Sequence, residues 1–373
     1  MANQIKINLN IYHGKNSLSK LKELVKINNF KKQLILLDKN LKKINYIKKN
    51  INFIKNKKFL SFETEPTYQK LDYEMRFIKK QKIDSIVAIG GGSTIDFAKG
   101  ISVLYNNKGK AINYMGFPKK LKKLIPVIAI PTTTSTGSEI IYNAVFTDKK
   151  LKIKYGINYE NNYPIASILD PNLIKSAPYK VIYQSAIAAL MRSVETFTSP
   201  DSDEITKFFS KKSYDLIINS LKDRNIKNHI KDLQWGCVFS MISLSNSSSG
   251  PCGVINYYLS VNYNVPQPFS YSFSAIEFIK HNIKFGFDDY KNIVDKNLKT
   301  NKQSLGKFVN DMKFVEKLLK NDVKKIKKKF INKTKIRDDI YKLFQDKKFL
   351  PLLKNPIAIK RKNLKLIIQD ILN

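Results

Sequence analysis

The sequence predicts two domains: an α/β domain built on a doubly wound parallel sheet over residues 1–175, and a helical domain over 176–373. Three observations carry this reading. Up to about Asp170, short β-branched runs alternate with longer amphipathic ones, which is the βαβ pattern. After "SILDPNLIKSAP" (167–178) the strand-like runs stop, and a helical period dominates from Tyr179 to Asn373, broken at "SNSSSGPCG" (245–253) and "NVPQP" (264–268). At 373 residues, 43% hydrophobic and 11% aromatic, the chain has apolar material for two cores, which excludes a disordered chain.

The elements follow in order. "MANQIKINLNIYHGKNSL" (1–18) alternates like a strand and lacks the apolar run of a signal peptide. "SLSKLKELVKI" (17–27) and "TYQKLDYEMRFIKKQ" (67–81) have the spacing of crossover helices. "QLILLD" (33–38), "DSIVAIGGG" (84–92) and "LIPVIAIPTTT" (124–134) are apolar without alternation, as strands buried on both faces must be. No stretch reaches the ~18 apolar residues of a membrane span. A cytoplasmic protein with no membrane contact is expected.

The formal charge of +37 suggests a nucleic-acid partner, but 62 of the 67 basic residues are Lys and only Arg76, Arg192, Arg224, Arg337 and Arg361 are Arg. Phosphate and base-edge recognition relies on the planar fork of arginine. The lysines also run along the whole chain, with Asn and Ile equally inflated, as in an AT-rich genome. This argues against nucleic acid, while a basic field still favours anionic ligands. The Lys-rich "NDVKKIKKKFINKTKIRDD" (321–339) is most simply a solvated helix face, with a binding surface as the alternative. Cys237 and Cys252, the two cysteines, lack metal-ligand spacing and exclude a disulfide framework.

Two loops carry the functional signal. "VAIGGGSTIDFAKGI" (87–101) sets Gly90, Gly91 and Gly92 directly after a buried strand, with Ser93 and Thr94 opening a helix. Glycines let a ligand approach the backbone, and the free amides of a helix N-terminus favour a pyrophosphate. The alternative is a tight turn whose serine caps the helix. "AIPTTTSTGSEI" (129–140) brings Thr132, Thr133, Thr134, Ser135 and Thr136 to the end of a second strand, followed by Gly137. Both loops would face the crevice where open parallel sheets bind nucleotides. Asp38, closing "QLILLD", can accept hydrogen bonds from a ribose diol and would repel a 2′-phosphate, which favours NAD(H) over NADP(H); a turn residue is the other reading.

These segments, with "KYGI" (154–157), "PIASILDPNLIKSAP" (164–178) and "KNPIAI" (354–359), resemble the iron-type, group III alcohol dehydrogenases of the dehydroquinate synthase-like fold. The resemblance implies a Rossmann-like N-terminal domain, a helical C-terminal domain, and an interdomain cleft holding NAD(P) and a metal. "VFTDKKLKIKYGI" (145–157) and the tract around "SNSSSGP" are most similar to the branch that reduces small phosphonate aldehydes. The implied partner is a small-molecule substrate, an anionic one among the options, and a homodimer stands among the expected assemblies.

The family holds its metal through an Asp and a His four residues apart on one helix, then two His fourteen residues apart. Laid on that pattern, "AIAALMRSVETF" (186–197) puts Ala188 and Arg192 at the first pair, and "GPCGVINYYLSVNYNVPQP" (250–268) puts Gly253 and Gln267 at the second. The spacing survives and the ligands do not, so the sequence predicts no bound metal. Glu195 matches a family glutamate, and Ile187, Leu190, Met191 and Val194 keep the helix's apolar face.

Three functions follow from different classes. The first is a metal-independent reductase, with Arg192 as fixed electrophile or anion clamp and Lys154, Tyr257 or Tyr258 as proton donor; an ion pair of Arg192 with Glu195 or Asp201 is the competing role. The second is an inactive homologue that senses a nucleotide or binds a partner. The third, a lyase or transferase using the same cleft, has no specific residue in its favour.

Overall fold

The computed structural model describes residues 5, 7–55, 57–62, 65–134, 137–248, 250–294, 300–345 and 351–373. Two compact units are distinguished, one over Ile7–Ile182 and one over Tyr183–Asn373.

The first unit is built on a six-stranded sheet of β1 (Ile11–His13), β2 (Gln33–Asp38), β3 (Lys58–Phe62), β4 (Ser85–Gly90), β5 (Val127–Pro131) and β8 (Ala166–Leu169). The strand order is β1-β8-β5-β4-β2-β3, and every pair is parallel. A separate antiparallel hairpin joins β6 (Asn143–Asp148) to β7 (Ile153–Asn158). The unit's helices are α1 (Lys20–Ile27), α2 (Asn45–Ile51), α3 (Tyr68–Ile78), α4 (Gly92–Tyr105) and α5 (Pro171–Ile174).

Alternation along the strands explains why the sheet is covered on both faces. Leu34, Leu36, Ile86, Ala88, Val127 and Ala129 pack with Tyr68, Leu71 and Met75 of α3 and Ile95, Phe97 and Ile101 of α4. Their neighbours Ile35, Leu37, Val87, Ile89, Ile128 and Ile130 pack with Leu18, Leu21 and Leu24 and with Ile47 and Ile51 of α2. The continuous apolar runs of β2, β4 and β5 are therefore required by burial on both sides.

The chain leaves β2 for β3 on one side and proceeds from β4 to β5 and β8 on the other, so the loops after β2 and β4 diverge. That divergence opens a crevice at the carboxyl edge of the sheet. Asp170 anchors the far end of β8. Its carboxylate accepts from the backbone N–H of Leu18 (3.0 Å), the Tyr46 hydroxyl (2.6 Å) and the N–H of Asn172 at the start of α5 (3.0 Å).

The second unit is helical: α6 (Tyr179–Thr198, whose first turn lies in the sheet unit), α7 (Glu204–Lys222), α8 (Ile230–Ser245), α9 (Cys252–Tyr263), α10 (Gln267–Lys284), α11 (Asn301–Lys327), α12 (Lys333–Leu343) and α13 (Arg361–Leu372). Local chemistry sets the ends. Asp203 caps α7 by accepting from Thr206 N–H, and Thr300 with Gln303 forms a capping box on α11. The breaks at "SNSSSGPCG" and "NVPQP" fall between α8 and α9 and between α9 and α10, with Asn264 in the left-handed region at φ 51°. Buried Asp311 ties α11 to α7, accepting from Tyr214 hydroxyl (2.8 Å) and Lys222 Nζ (2.6 Å).

The sequence reading located β2, β4, β5, α1 and α3 within a few residues. Its N-terminal alternation yields pairing only over Ile11–His13, and Ser17–Ser19 is a 3₁₀ turn ahead of α1. It did not separate α2, β3 and the β6–β7 hairpin, whose polar and Lys-rich stretches hide their period.

Close approach of α4 to β6 sets a testable constraint. A Cβ added at Gly100 would lie 2.4 Å from Phe146 Cζ and 2.8 Å from Leu71 Cδ2, both inside the core. Gly100→Ala is expected to cost about 1–3 kcal/mol through overpacking, read as a lowered urea midpoint with an unchanged m-value.

Candidate active site

In the sheet unit, three loops line up at the carboxyl edge. Register places Leu37 opposite Ile89 and Gly90 opposite Pro131, so Asp38, Gly90–Gly92 and Thr132–Thr134 follow adjacent strands. Thr132 N–H donates to Gly90 O (3.0 Å), which locks the two loops together. A Cβ at Gly90 would sit 2.4 Å from Thr94 Oγ1, so the position accepts glycine alone without a shift of buried Thr94. Gly91 is the N-cap of α4 and, lacking a side chain, supplies no cap hydrogen bond. The first amides of the helix stay available to an anion. Half-buried Ser93 stands at the second helical position.

The hydroxyls of the second loop divide in role. Thr134 Oγ1 donates to Ile182 O (3.2 Å) and holds the loop in place. Thr133 Oγ1 is buried with no hydrogen-bond partner among the described residues, and its Cγ2 would lie 3.5 Å from a Cβ on Gly91. An orphaned hydroxyl beside an uncapped helix start is what a bound polar ligand would satisfy. Ser135 and Thr136 lie outside the described residues. Asp38 accepts from Asn40 N–H (2.9 Å), so the turn role weighed against ribose binding is present in the structure.

Two groups that the sequence reading passed over hold these loops. Lys99 of α4 is fully buried; its ammonium lies 3.2 Å from Asp96 Oδ1 and donates to the carbonyls of Ser138 (3.0 Å), Ile141 (3.3 Å) and Asn143. Asp96 in turn accepts from the Ser138 hydroxyl and from Val145 N–H (3.1 Å). Burial lowers the Lys99 pKa, and Asp96 and then Glu139 oppose that fall. The signal available in sequence was an Asp and a Lys three residues apart on an otherwise apolar helix. Lys154, read as a proton donor, lies on β7 with 2% of its side chain exposed and is paired with Glu65 Oε2 at 2.6 Å.

In the helical unit, α6, α9 and α10 meet around the Glu195 carboxyl group. It accepts from Cys252 N–H (3.3 Å) and from the Tyr271 hydroxyl. Desolvation raises the carboxyl pKa, against the hydrogen bonds from Tyr271 and Cys252. Burial, then the charge of Glu195, also push the Tyr271 phenol well above its usual value, and the positive charge of Arg192 acts in the opposite direction. Arg192 is half-buried and its Nη1 donates to Ser240 Oγ (3.2 Å). Asp201, one carboxylate weighed as its partner, pairs with Lys354 at 2.5 Å.

Around this cluster, Ala188 lies one turn before Arg192 and is buried. Gly253 follows Cys252 at the start of α9, and Gln267 is the first residue of α10, one turn before Tyr271. Tyr257 is half-buried one turn after Gly253, while the Tyr258 hydroxyl donates to Asp339 Oδ2 (3.0 Å). Cys252 is buried, and desolvation raises its thiol pKa well above normal, which leaves it inert. Tyr271 is the residue of this group that the sequence reading missed.

Comparison with known proteins agrees with this layout. Residues 8–171 match the profile of the family described as iron-containing alcohol dehydrogenase. Over those residues the chain is similar to the iron-containing alcohol dehydrogenase family. It is 29% identical over 262 residues to alcohol dehydrogenase 4 of Schizosaccharomyces pombe, covering 68% of this chain and 62% of that protein. It is 31% identical over 208 residues to 4-hydroxybutyrate dehydrogenase of Clostridium kluyveri, covering 54% and 56%. The match thus spans less than two thirds of either relative. The crystal structure of sulfoacetaldehyde reductase from Bifidobacterium kashiwanohense, in complex with NAD+, superposes with a TM-score of 0.83 at 18% identity, covering 100% of this chain and 99% of that one. That likeness shows the shared fold.

Among the described residues, no three His, Cys, Asp or Glu side chains come together in a way that could hold a metal ion. No described helix is long and apolar enough to cross a membrane.

The Glu195 cluster is tight enough to test. Tyr271→Phe removes a donor from an enclosed carboxyl group and is expected to cost about 1–3 kcal/mol. Gly250→Ala, whose Cβ would lie 2.3 Å from Glu195 Oε1, should destabilise at least as much. Both effects are read from denaturant unfolding, and the two should be less than additive because they act on one carboxyl group.

Proposed function

We propose that this protein is a nicotinamide-dependent reductase of a small, anionic aldehyde, and that it works without a metal ion. The observation that carries the reading is the contrast between its two halves: a glycine loop and orphaned Thr133 hydroxyl fit for a dinucleotide, and a helix α6 that carries Ala188 and Arg192 one turn apart.

The residues present fit the cofactor. Gly90–Gly92 and the free amides of α4 would receive the pyrophosphate, Thr132 and Thr133 would hydrogen-bond it, and Asp38 would accept from the adenosine ribose and disfavour a 2′-phosphate. The reduced nicotinamide, when bound, supplies hydride. Two similar proteins support this chemistry, a sulfoacetaldehyde reductase solved with NAD+ and a 4-hydroxybutyrate dehydrogenase, each named for a small anionic compound.

The residues do not fit a divalent ion. At the positions where the resemblance places ligands, Ala188 and Gly253 offer no donor atom, Gln267 offers a weak neutral one, and Arg192 brings a fixed positive charge that repels a cation. In this reading Arg192 takes over charge stabilisation, hydrogen-bonding the aldehyde oxygen or clamping the anionic end of the substrate. Tyr257, on the α9 face of Gly253, and Lys154 are the candidate proton donors. Lys154 would have to exchange its ion pair with Glu65 for that role.

Calorimetry is expected to show NADH binding tighter than NADPH, and elemental analysis of protein purified without chelators to show no stoichiometric iron or zinc. Arg192→Ala should abolish aldehyde-dependent NADH oxidation while leaving Tm nearly unchanged. Near-stoichiometric metal would overturn the metal-free mechanism. Failure to bind either cofactor at millimolar concentration would instead identify an inactive homologue that keeps the fold for partner binding.

A further inference from the structure

The helical unit carries a groove of about 930 Å³ between α10, α11 and the first residue of α12, made of residues that no part of the proposed reaction uses. Lys313, Lys317, Lys320, Lys324 and Lys327 line it at spacings of four, three, four and three, so they form one stripe of α11. At 1.5 Å per residue the stripe runs roughly 21 Å. Lys333 closes one end.

These charges are not neutralised by ion pairs among the described residues. The two acidic residues of the groove, Glu277 and Glu316, are both engaged by Lys280, at 3.1 and 2.6 Å. None of the six lysines pairs with a carboxylate among the described residues; Lys327 donates to Asp370 O (3.2 Å) and Lys333 to Asn373 Oδ1 (3.3 Å), both neutral acceptors. Burial lowers the Lys327 pKa, and the neighbouring charges of Lys333 and Lys280 add to the fall while Glu277 and Asp370 oppose it.

We propose that this groove docks an acidic amphipathic helix of a partner protein. Beneath the ammonium groups the accessible floor is apolar, formed by half-buried Val323 and the lysine stems, over the buried Ile276 and Leu319. A helix with carboxylates at three- and four-residue spacing matches the lysine stripe, and its apolar side meets the floor. A second copy of the chain is a poor occupant, because 67 basic residues face 30 acidic ones. Nucleic acid is disfavoured by the lining, which contains no arginine and one aromatic, Phe273, that is 5% exposed and has no face for base stacking.

The test is fluorescence anisotropy with a labelled synthetic helix of about 15 residues, glutamates on one face and leucines on the other. Polyglutamate of equal length, single-stranded DNA and inorganic polyphosphate serve as competitors. The triple variant Lys317→Glu, Lys320→Glu, Lys324→Glu should weaken peptide binding by at least roughly tenfold. A control with the same charge change on the sheet unit, Lys22→Glu, Lys26→Glu, Lys49→Glu, should weaken it no more than about twofold, because screening confines the effect to nearby charges. Circular dichroism and Tm verify that both variants fold, and the single variant Lys320→Ala gives a graded check. Equal losses in the two triples would reduce the effect to general charge and overturn the proposal. So would competition by polyglutamate, DNA or polyphosphate as effective as that of unlabelled peptide.

Discussion

The sheet unit depends on one buried ion. An ammonium group taken out of water costs several kcal/mol unless its donors are met, and Lys99 meets them with Asp96 and three backbone carbonyls from 138–143. The carbonyls belong to the segment that follows the threonine loop, while Lys99 belongs to the helix that follows the glycine loop. One side chain therefore fixes the position of both loops. Gly100 permits the same approach from the next position, since Phe146 occupies the space a side chain would need. The candidate cofactor site thus rests on well-bonded residues beneath it, and the Thr132–Gly90 hydrogen bond ties its two loops to each other.

The helical unit solves a similar problem with a carboxyl group. Glu195 projects from α6 into the starts of α9 and α10, where Cys252 N–H and Tyr271 hydroxyl meet it and Gly250 leaves it room. This gives a physical reason for α6 to keep its place. Its apolar face is buried, and the Glu195 carboxyl group joins three helices. Under the proposed function, Ala188, Gly253 and Gln267 would change the chemistry at this place without changing that packing.

Charge has two meanings in this chain. Most lysines lie scattered over the surface, where pairs contribute little and salt screens them. The α11 stripe differs because the helical period collects like charges along a single groove, and because Lys280 occupies the local carboxylates. The same composition is a uniform background elsewhere and a concentrated field there.

Sequence alone determined the two-part architecture, because burial on two faces demands the uninterrupted apolar runs of β2, β4 and β5, and burial on one face demands the helical period after Tyr179. It also determined the chemistry of isolated positions: Gly90–Gly92 follow a strand whatever the sheet order, and alanine at 188 cannot bind a metal in any fold. Tertiary structure decided what depends on distance between remote segments. The order β1-β8-β5-β4-β2-β3 put Asp38, the glycine loop and the threonine loop side by side. Pairing of Lys99 with the carbonyls of residues 138–143, of Glu195 with Cys252 and Tyr271, and of Lys154 with Glu65 joins groups that no local period connects. Periodicity records which face of an element is buried, and a hydrogen-bond partner across the fold leaves no trace in that period.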